Sequence, residues 1–183
     1  MPNQPDEPTS NATLNKLRAA VLGANDGIVS TASVVMGVAG ATPETKAVFT
    51  AGMAALVAGA LSMAVGEYVS VSSQRDAEKI DHDNRHPRDK PEFTSPTQAA
   101  IASLLAFTAG GLVPFIAVVV APEALRIPVT VVAVIVALLM TGFGSATISR
   151  SSRFRAMGRV IAGGLIAMAV TYFIGTLFGA SLA

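Results

Sequence analysis

Five long stretches without a charged residue most strongly constrain what this chain can fold into. Each is close to the roughly 20 apolar residues that cross a hydrocarbon core, although the first reaches that length only when extended back through Asp26 to Ala19. Charged residues make up only 14% of the 183-residue chain, against roughly 25% in soluble domains. The pattern predicts an all-α polytopic membrane protein with five transmembrane helices. The charge-free stretches are 27–43, 47–66, 93–122, 127–149 and 160–183.

Basic residues alternate between the segments that link these stretches. Eleven of the 13 Lys and Arg residues lie before the first stretch, between the second and third, or between the fourth and fifth. The other linking segments hold only Lys46 and Arg126. Because Lys and Arg collect on the cytoplasmic side of membrane proteins, we predict a cytoplasmic N-terminus and an outside C-terminus. The expected location is a bacterial plasma membrane.

The predicted spans and their linkers make up a single membrane domain. Residues 1–16 are polar and contain three prolines, so we expect a disordered cytoplasmic tail there and not a signal peptide. Residues 17–183 form the transmembrane domain, in which the charged segment 73–96 is predicted to be a short cytoplasmic loop without its own core. The spans are predicted at about 18–41, 46–72, 97–121, 127–149 and 158–182.

Small residues recur four positions apart in three of the predicted spans. Such pairs let two helix backbones approach each other closely in a membrane. Generic packing within the bundle and a specific face of a homodimer both explain them, and the sequence leaves the choice open. The pairs are Gly23 with Gly27, Ala55 with Gly59, and Gly175 with Gly179.

Two acidic residues, Asp26 and Glu67, lie inside the predicted spans. A charged group at the depth of the hydrocarbon costs about 2.5–3.5 kcal/mol or more, so such residues face a polar cavity and often mark an ion path. Asn25 precedes Asp26 and is a further candidate for the ion path. Gly27 follows Asp26, where the absence of a side chain lets a second backbone or an ion come close. Alternatively, Asp26 lies near enough to the cytoplasmic interface to be a wetted helix-end residue.

Gly59, Met63 and Glu67 are four residues apart and therefore share one face of the second span. Carboxylates alone suit Mg²⁺, Ca²⁺ or Mn²⁺, whereas thioether sulfur shifts the preference toward softer metals. Burial of a carboxylate favours its protonated form, so the same group can exchange a proton for a metal ion. The arrangement is typical of a metal/proton antiporter, although methionine also serves as ordinary core filler.

The charged loop holds a weaker candidate site, at His82 and His86. These two residues are four positions apart, with three aspartates nearby, and would share a face for a divalent cation if the segment were helical. Pro87 and the neighbouring arginines argue against a preformed site, so a solvated loop is the favoured interpretation.

No enzyme signature is found in the sequence. There is no Ser/His/Asp arrangement, phosphate-binding loop or cofactor fingerprint, and the chain contains no cysteine. We therefore expect neither an enzyme nor a nucleic-acid partner, and no permanently bound cofactor.

Two segments resemble the first two spans of the vacuolar iron transporter family: "LRAAVLGANDGIVSTASVVMGVAGA" and "AGMAALVAGALSMAVGEYVSVSSQRDAEK". The resemblance is specific over residues 17–79 and extends to yeast-type iron and manganese carriers and plant nodulin-like proteins. It implies a homodimer that carries Fe²⁺, and often Mn²⁺, out of the cytoplasm against protons along a path at the two-fold interface. It also implies that Asp26 and Met63 line this path, and Glu67 falls in the "GEYVS" segment of bacterial-type members.

This chain departs from the family pattern in two places. Full-length members carry a helical metal-binding domain, rich in Glu and Met, between the second and third spans, where this chain has only the short loop. Some members have a glutamate two turns before the methionine, where this chain has Ala55. The leading hypothesis is a short, bacterial-type Fe²⁺ or Mn²⁺ transporter. The alternative is a non-transporting membrane scaffold or a regulatory partner of a full-length relative.

Overall fold

Five long α-helices dominate the computed structural model, which describes residues 11–85, 93–148 and 152–182. All five are long and apolar enough to cross a membrane, which confirms the predicted all-α fold with five spans. In chain order the helices are α1 (Asn11–Ala41), α2 (Thr45–Arg85), α3 (Pro96–Val120), α4 (Arg126–Ile148) and α5 (Arg153–Leu182), with a 3₁₀ turn at Glu123–Leu125 before α4.

Helix α1 lies at the centre of the bundle and contacts all four other long helices. Ile28 and Met36 of α1 pack with Leu138 of α4 and Met168 of α5 in the largest apolar cluster. In contrast, the most apolar part of α2 is only 22% buried and that of α5 only 11%. The outer faces of these two helices are therefore apolar surfaces suited to lipid or to a second membrane helix.

Glycines on α1 allow α3 to pack directly against its backbone. A Cβ atom added at Gly23 would lie 2.6 Å from the backbone oxygen of Ser103, and one at Gly27 would overlap the backbone carbonyl of Phe107. The helix that approaches the Gly23 and Gly27 pair is thus α3 of the same chain.

A second close approach joins α1 to α5 near the end of α1. A Cβ atom at Gly175 would overlap the backbone carbonyl of Gly37, and one at Gly179 would overlap that of Ala41. The Gly175 and Gly179 pair therefore also packs against a helix of the same chain, α1.

Helix α2 continues well beyond the membrane-spanning length. Its 41 residues extend about 60 Å, roughly twice the thickness of the hydrocarbon core. The predicted loop starts at residue 73, but α2 continues through this segment to Arg85. Residues 73–85 contain no proline that would interrupt the helix. Its last turns are tied to the start of α3, since Glu78 Oε2 accepts hydrogen bonds from Thr94 N–H at 2.9 Å and Thr94 Oγ1 at 3.0 Å.

The structure describes only part of the predicted tail and loop. Helix α1 already begins at Asn11, inside the segment predicted to be a tail. Residues 1–10 and 86–92, including His86, lie outside the described residues. We call the end of the bundle where α1 and α5 begin and α2 ends the basic end, because Lys16, Arg18 and Arg159 lie there.

Arg126 clamps the turn between α1 and α2 at the opposite end of the bundle. Its side chain is buried, with only 4% of the residue exposed. Nη1 donates to the backbone oxygen of Pro43 at 3.0 Å and Nη2 to Thr45 Oγ1 at 2.6 Å. This basic residue therefore fixes the α1–α2 turn to the start of α4 and is not a free loop charge.

We expect Gly27→Ala to destabilise the bundle, because its methyl group would force α1 and α3 apart. Overpacking of this kind costs about 1–3 kcal/mol, so the melting temperature of the purified protein in detergent should fall by several degrees. Gly163→Ala is the matched control, since nothing lies within 4 Å of a Cβ atom at Gly163. An unchanged melting temperature for Gly27→Ala would contradict the close α1–α3 contact.

Candidate metal-binding groove

An open groove of about 450 Å³ runs between α1 and α2, with the ring of Phe107 from α3 among its walls. Three of the residues expected from the sequence to form an ion path line it together, and Gly59 lines it beside them. The lining residues are Leu22, Asp26, Ser30, Val34, Ala55, Gly59, Ser62, Met63, Gly66, Glu67 and Phe107.

Asp26 is the exposed carboxylate of this groove. It lies about 22 Å from the far end of α1 at Ala41, counted at about 1.5 Å per residue, and so near the middle of a helix that is long and apolar enough to cross a membrane. Neither a hydrogen bond nor an ion pair to Asp26 is found among the described residues. Among the described residues of a single chain, none therefore balances the charge of Asp26.

Met63 faces Asp26 across the groove from α2. Its side chain is partly buried and packs against the cluster formed by Leu56, Ala60 and Phe107. Gly59, one turn away, leaves the space that the Phe107 ring occupies, since a Cβ atom there would overlap the ring. Gly59 therefore makes room for the Phe107 ring, which belongs to the cluster that Met63 packs against.

Glu67 lies nearer the basic end and is paired with a cation. The residue is only 6% exposed, and its Oε1 accepts a hydrogen bond from Arg18 Nη2 at 2.7 Å. The same guanidinium donates from Nη2 and Nε to Asn15 Oδ1, at 3.1 and 3.3 Å. Glu67 is thus a carboxylate with a counter-ion at the mouth of the groove.

Arg18 is the residue of this candidate site that the sequence reasoning missed, because it was counted only among the charges that set topology. A signal for it was present in the sequence. A carboxylate inside a span needs a counter-ion or a polar cavity. Arg18 is the first residue of the predicted span that carries Asp26, and so one of the basic residues that adjoin a span.

Asn25 and His82 lie apart from the groove. Asn25 faces α4 and α5, where it lines a separate cavity with Thr141. His82 packs edge-on against the ring of Phe93, with 5.9 Å between ring centroids. The structure therefore does not bring either residue to Asp26 or Met63.

The groove of one chain is an incomplete ligand set for a metal ion. Within residues 11–85, 93–148 and 152–182, no three His, Cys, Asp or Glu side chains come together. The groove holds two carboxylates, one of them already paired, one thioether and the hydroxyl groups of Ser30 and Ser62. Oxygen and sulfur donors of this kind suit a divalent metal intermediate in softness between Mg²⁺ and Cu⁺.

Comparison with known proteins places these residues in a described family. The model of the VIT family matches residues 17–87 and 80–176. Vacuolar iron transporter homolog 2 of Arabidopsis thaliana is 48% identical over 166 residues, which cover 89% of this chain and 84% of that protein. Vacuolar iron transporter homolog 5 of Oryza sativa subsp. japonica is 45% identical over 180 residues, which cover 96% of this chain and 86% of that protein. The chain therefore belongs to the VIT family, as the resemblance of its first two spans indicated.

Proposed function

We propose that this protein transports divalent metal ions, Fe²⁺ and also Mn²⁺, out of the cytoplasm in exchange for protons, with the metal following the groove between α1 and α2. The observation that carries the proposal is an exposed carboxylate, Asp26, that has no partner among the described residues and lies within an apolar, membrane-length helix beside a thioether, Met63. Membership of a family whose plant members are named vacuolar iron transporter homologs supports iron as a substrate.

A homodimer would complete the site. An exposed carboxylate facing lipid costs at least about 2.5–3.5 kcal/mol, so a polar or protein surface has to cover Asp26 in the membrane. A second copy placed groove to groove about a two-fold axis would cover it and double the carboxylates and thioethers around one space. The exposed apolar residues Val34 and Leu22 beside Asp26 would then lie in the dimer interface.

Proton exchange would take place at Asp26 in this scheme. Glu67 is neutralised by Arg18, so Asp26 is the carboxylate of the groove that is free to alternate between a proton and a metal ion. Neutralisation by either cation lowers the cost of holding the group in the membrane. The basic end would face the cytoplasm of a bacterial plasma membrane, in keeping with the distribution of Lys and Arg.

We expect Asp26→Asn to abolish coupled transport. In proteoliposomes, wild-type protein should move Fe²⁺ and Mn²⁺ faster when a pH gradient is imposed, and the variant should lose at least about tenfold of this flux, since a neutral amide neither exchanges a proton nor balances the metal charge. Asp76→Asn, on the exposed extension of α2, is the matched control and should transport like wild type.

Two outcomes would contradict the proposal in different ways. Flux that does not respond to the pH gradient would exclude proton antiport while leaving metal transport in place. Absence of flux from protein that is folded and dimeric would favour the membrane scaffold, the alternative that the sequence left open.

Met63→Leu should alter the choice of metal more than the amount transported. Leucine conserves the volume of methionine but removes the sulfur, so the ratio of Fe²⁺ to Mn²⁺ flux should fall about tenfold, in the range seen when groups that support a metal site are removed. Met53→Leu, on the same helix but outside the groove, is the control. Equal ratios in wild type and Met63→Leu would show that the thioether only fills space.

Cross-linking can test the dimer, because the chain contains no cysteine. Val34→Cys places one thiol in the groove, where a two-fold axis would bring it close to its copy, and an oxidant should then produce a covalent dimer in membranes. Val132→Cys, on an exposed position of α4 outside the groove, should remain monomeric on denaturing gels. Equal cross-linking at both positions would place the interface elsewhere.

A further inference from the structure

Arg18 lies beside two neighbouring cavities, both of which are lined by Leu22 of α1. Its Nη2 atom reaches Glu67 at the groove, while its side chain also lines a second cavity of about 410 Å³. Its side chain is 52% exposed, so the guanidinium is not locked by packing. The second cavity is lined by Arg18, Val21, Leu22, Asn25, Thr141, Ser145 and Val160.

The second cavity contains a hydrogen-bond acceptor without a donor. Asn25 Oδ1 is buried and has no hydrogen-bond partner among the described residues. Buried amide oxygens are nearly always paired, so this one is an acceptor available to a donor that enters the cavity. A guanidinium, with its five N–H groups, is such a donor.

Arg18 is positioned to reach that acceptor by a change of rotamer. Arg18 and Asn25 are seven residues apart, so they lie two turns apart on the same face of α1, about 10 Å along the axis. Extended arginine and asparagine side chains together span such a distance. Asn15, which now accepts hydrogen bonds from Arg18, is on α1 as well.

The guanidinium and a metal ion would compete for the same carboxylate oxygen. With Nη2 at 2.7 Å from Glu67 Oε1, a divalent cation bound to that oxygen would meet a positive charge at contact distance. Like charges at this separation repel strongly away from bulk water. A metal ion can bind Oε1 of Glu67 only when the guanidinium has left that oxygen.

We propose that Arg18 is a tethered cation that occupies Glu67 when the groove is empty and moves its guanidinium to Asn25 in the second cavity when a divalent metal binds Glu67. Arg18 would thereby set the affinity of Glu67 for the metal ion. It would also balance the charge of Glu67 while no metal is bound. The proposal rests on the proposed metal transport, in that the displacing ion is the transported metal.

Chemical modification of Glu67 by a carbodiimide tests the two positions without any metal. In the purified full chain, Arg18→Gln should increase modification of Glu67, because the guanidinium no longer covers the carboxylate and blocks the reagent. Asn25→Leu should decrease it, because the guanidinium then has no second acceptor and stays on Glu67. Arg18→Lys, which keeps the charge, should retain the wild-type level. Arg75→Gln, two turns further along α2, is the charge-matched control and should change nothing.

Mn²⁺ binding, followed by the loss of the electron paramagnetic resonance signal of the free ion, tests the competition. Arg18→Gln should bind Mn²⁺ about tenfold more tightly than wild type, a change of about 1.4 kcal/mol, and Asn25→Leu should bind it more weakly. In a Glu67→Gln background, Arg18→Gln should have no further effect, because the shared carboxylate is gone.

The outcomes separate this proposal from the proposed function. Equal Mn²⁺ affinity in wild type and Arg18→Gln would overturn the competition and leave metal transport standing. Unchanged carbodiimide modification in folded Arg18→Gln or Asn25→Leu would overturn the two positions of the guanidinium. If no variant binds Mn²⁺ but carbodiimide modification of Glu67 changes as expected, the proposed metal binding is overturned. The two positions of the Arg18 guanidinium would still stand.

Discussion

Direct contact between helix backbones at α1 organises the whole molecule. Glycines at positions 23 and 27 admit α3, and glycines at 175 and 179 admit α5, so α1 is held on two sides at the shortest distance that helices allow. In a membrane such contacts replace the hydrophobic drive that packs soluble bundles. With these two sides taken, α1 can present Asp26 only along the side that it shares with α2.

The groove follows from this arrangement and from the small residues of α2. Gly59 lets the Phe107 ring reach into the space between α1 and α2, and Gly66, with nothing near its Cβ position, keeps the mouth open. The polar and charged groups of the groove lie at different distances from the basic end. Glu67 with Arg18 lies toward the basic end, and Asp26 with Met63 lies deeper. A cation that entered the groove from the basic end would meet Glu67, which is paired with Arg18, before Asp26, for which no partner is found among the described residues.

Pairing gives the two carboxylates different electrostatic surroundings. Glu67 is buried beside a guanidinium, which stabilises its charge in a place with little water. Asp26 has no such partner among the described residues, so its charge has to be balanced by an ion, a proton or a second copy of the chain. The difference arises from one arginine on α1, and not from the carboxylates themselves.

The sequence alone determined the number of spans, the presence of two acidic residues within them and the alignment of Gly59, Met63 and Glu67 on one face. These features depend on helix periodicity and on the hydrocarbon thickness, which act locally along the chain. Only the tertiary structure decided which helix approaches Gly27, that Arg18 pairs with Glu67, and that Asn25 faces away from Asp26 into another cavity. Such relations join residues of different helices, and the rotation of each helix about its axis is set by packing against its neighbours, which no single stretch of sequence encodes.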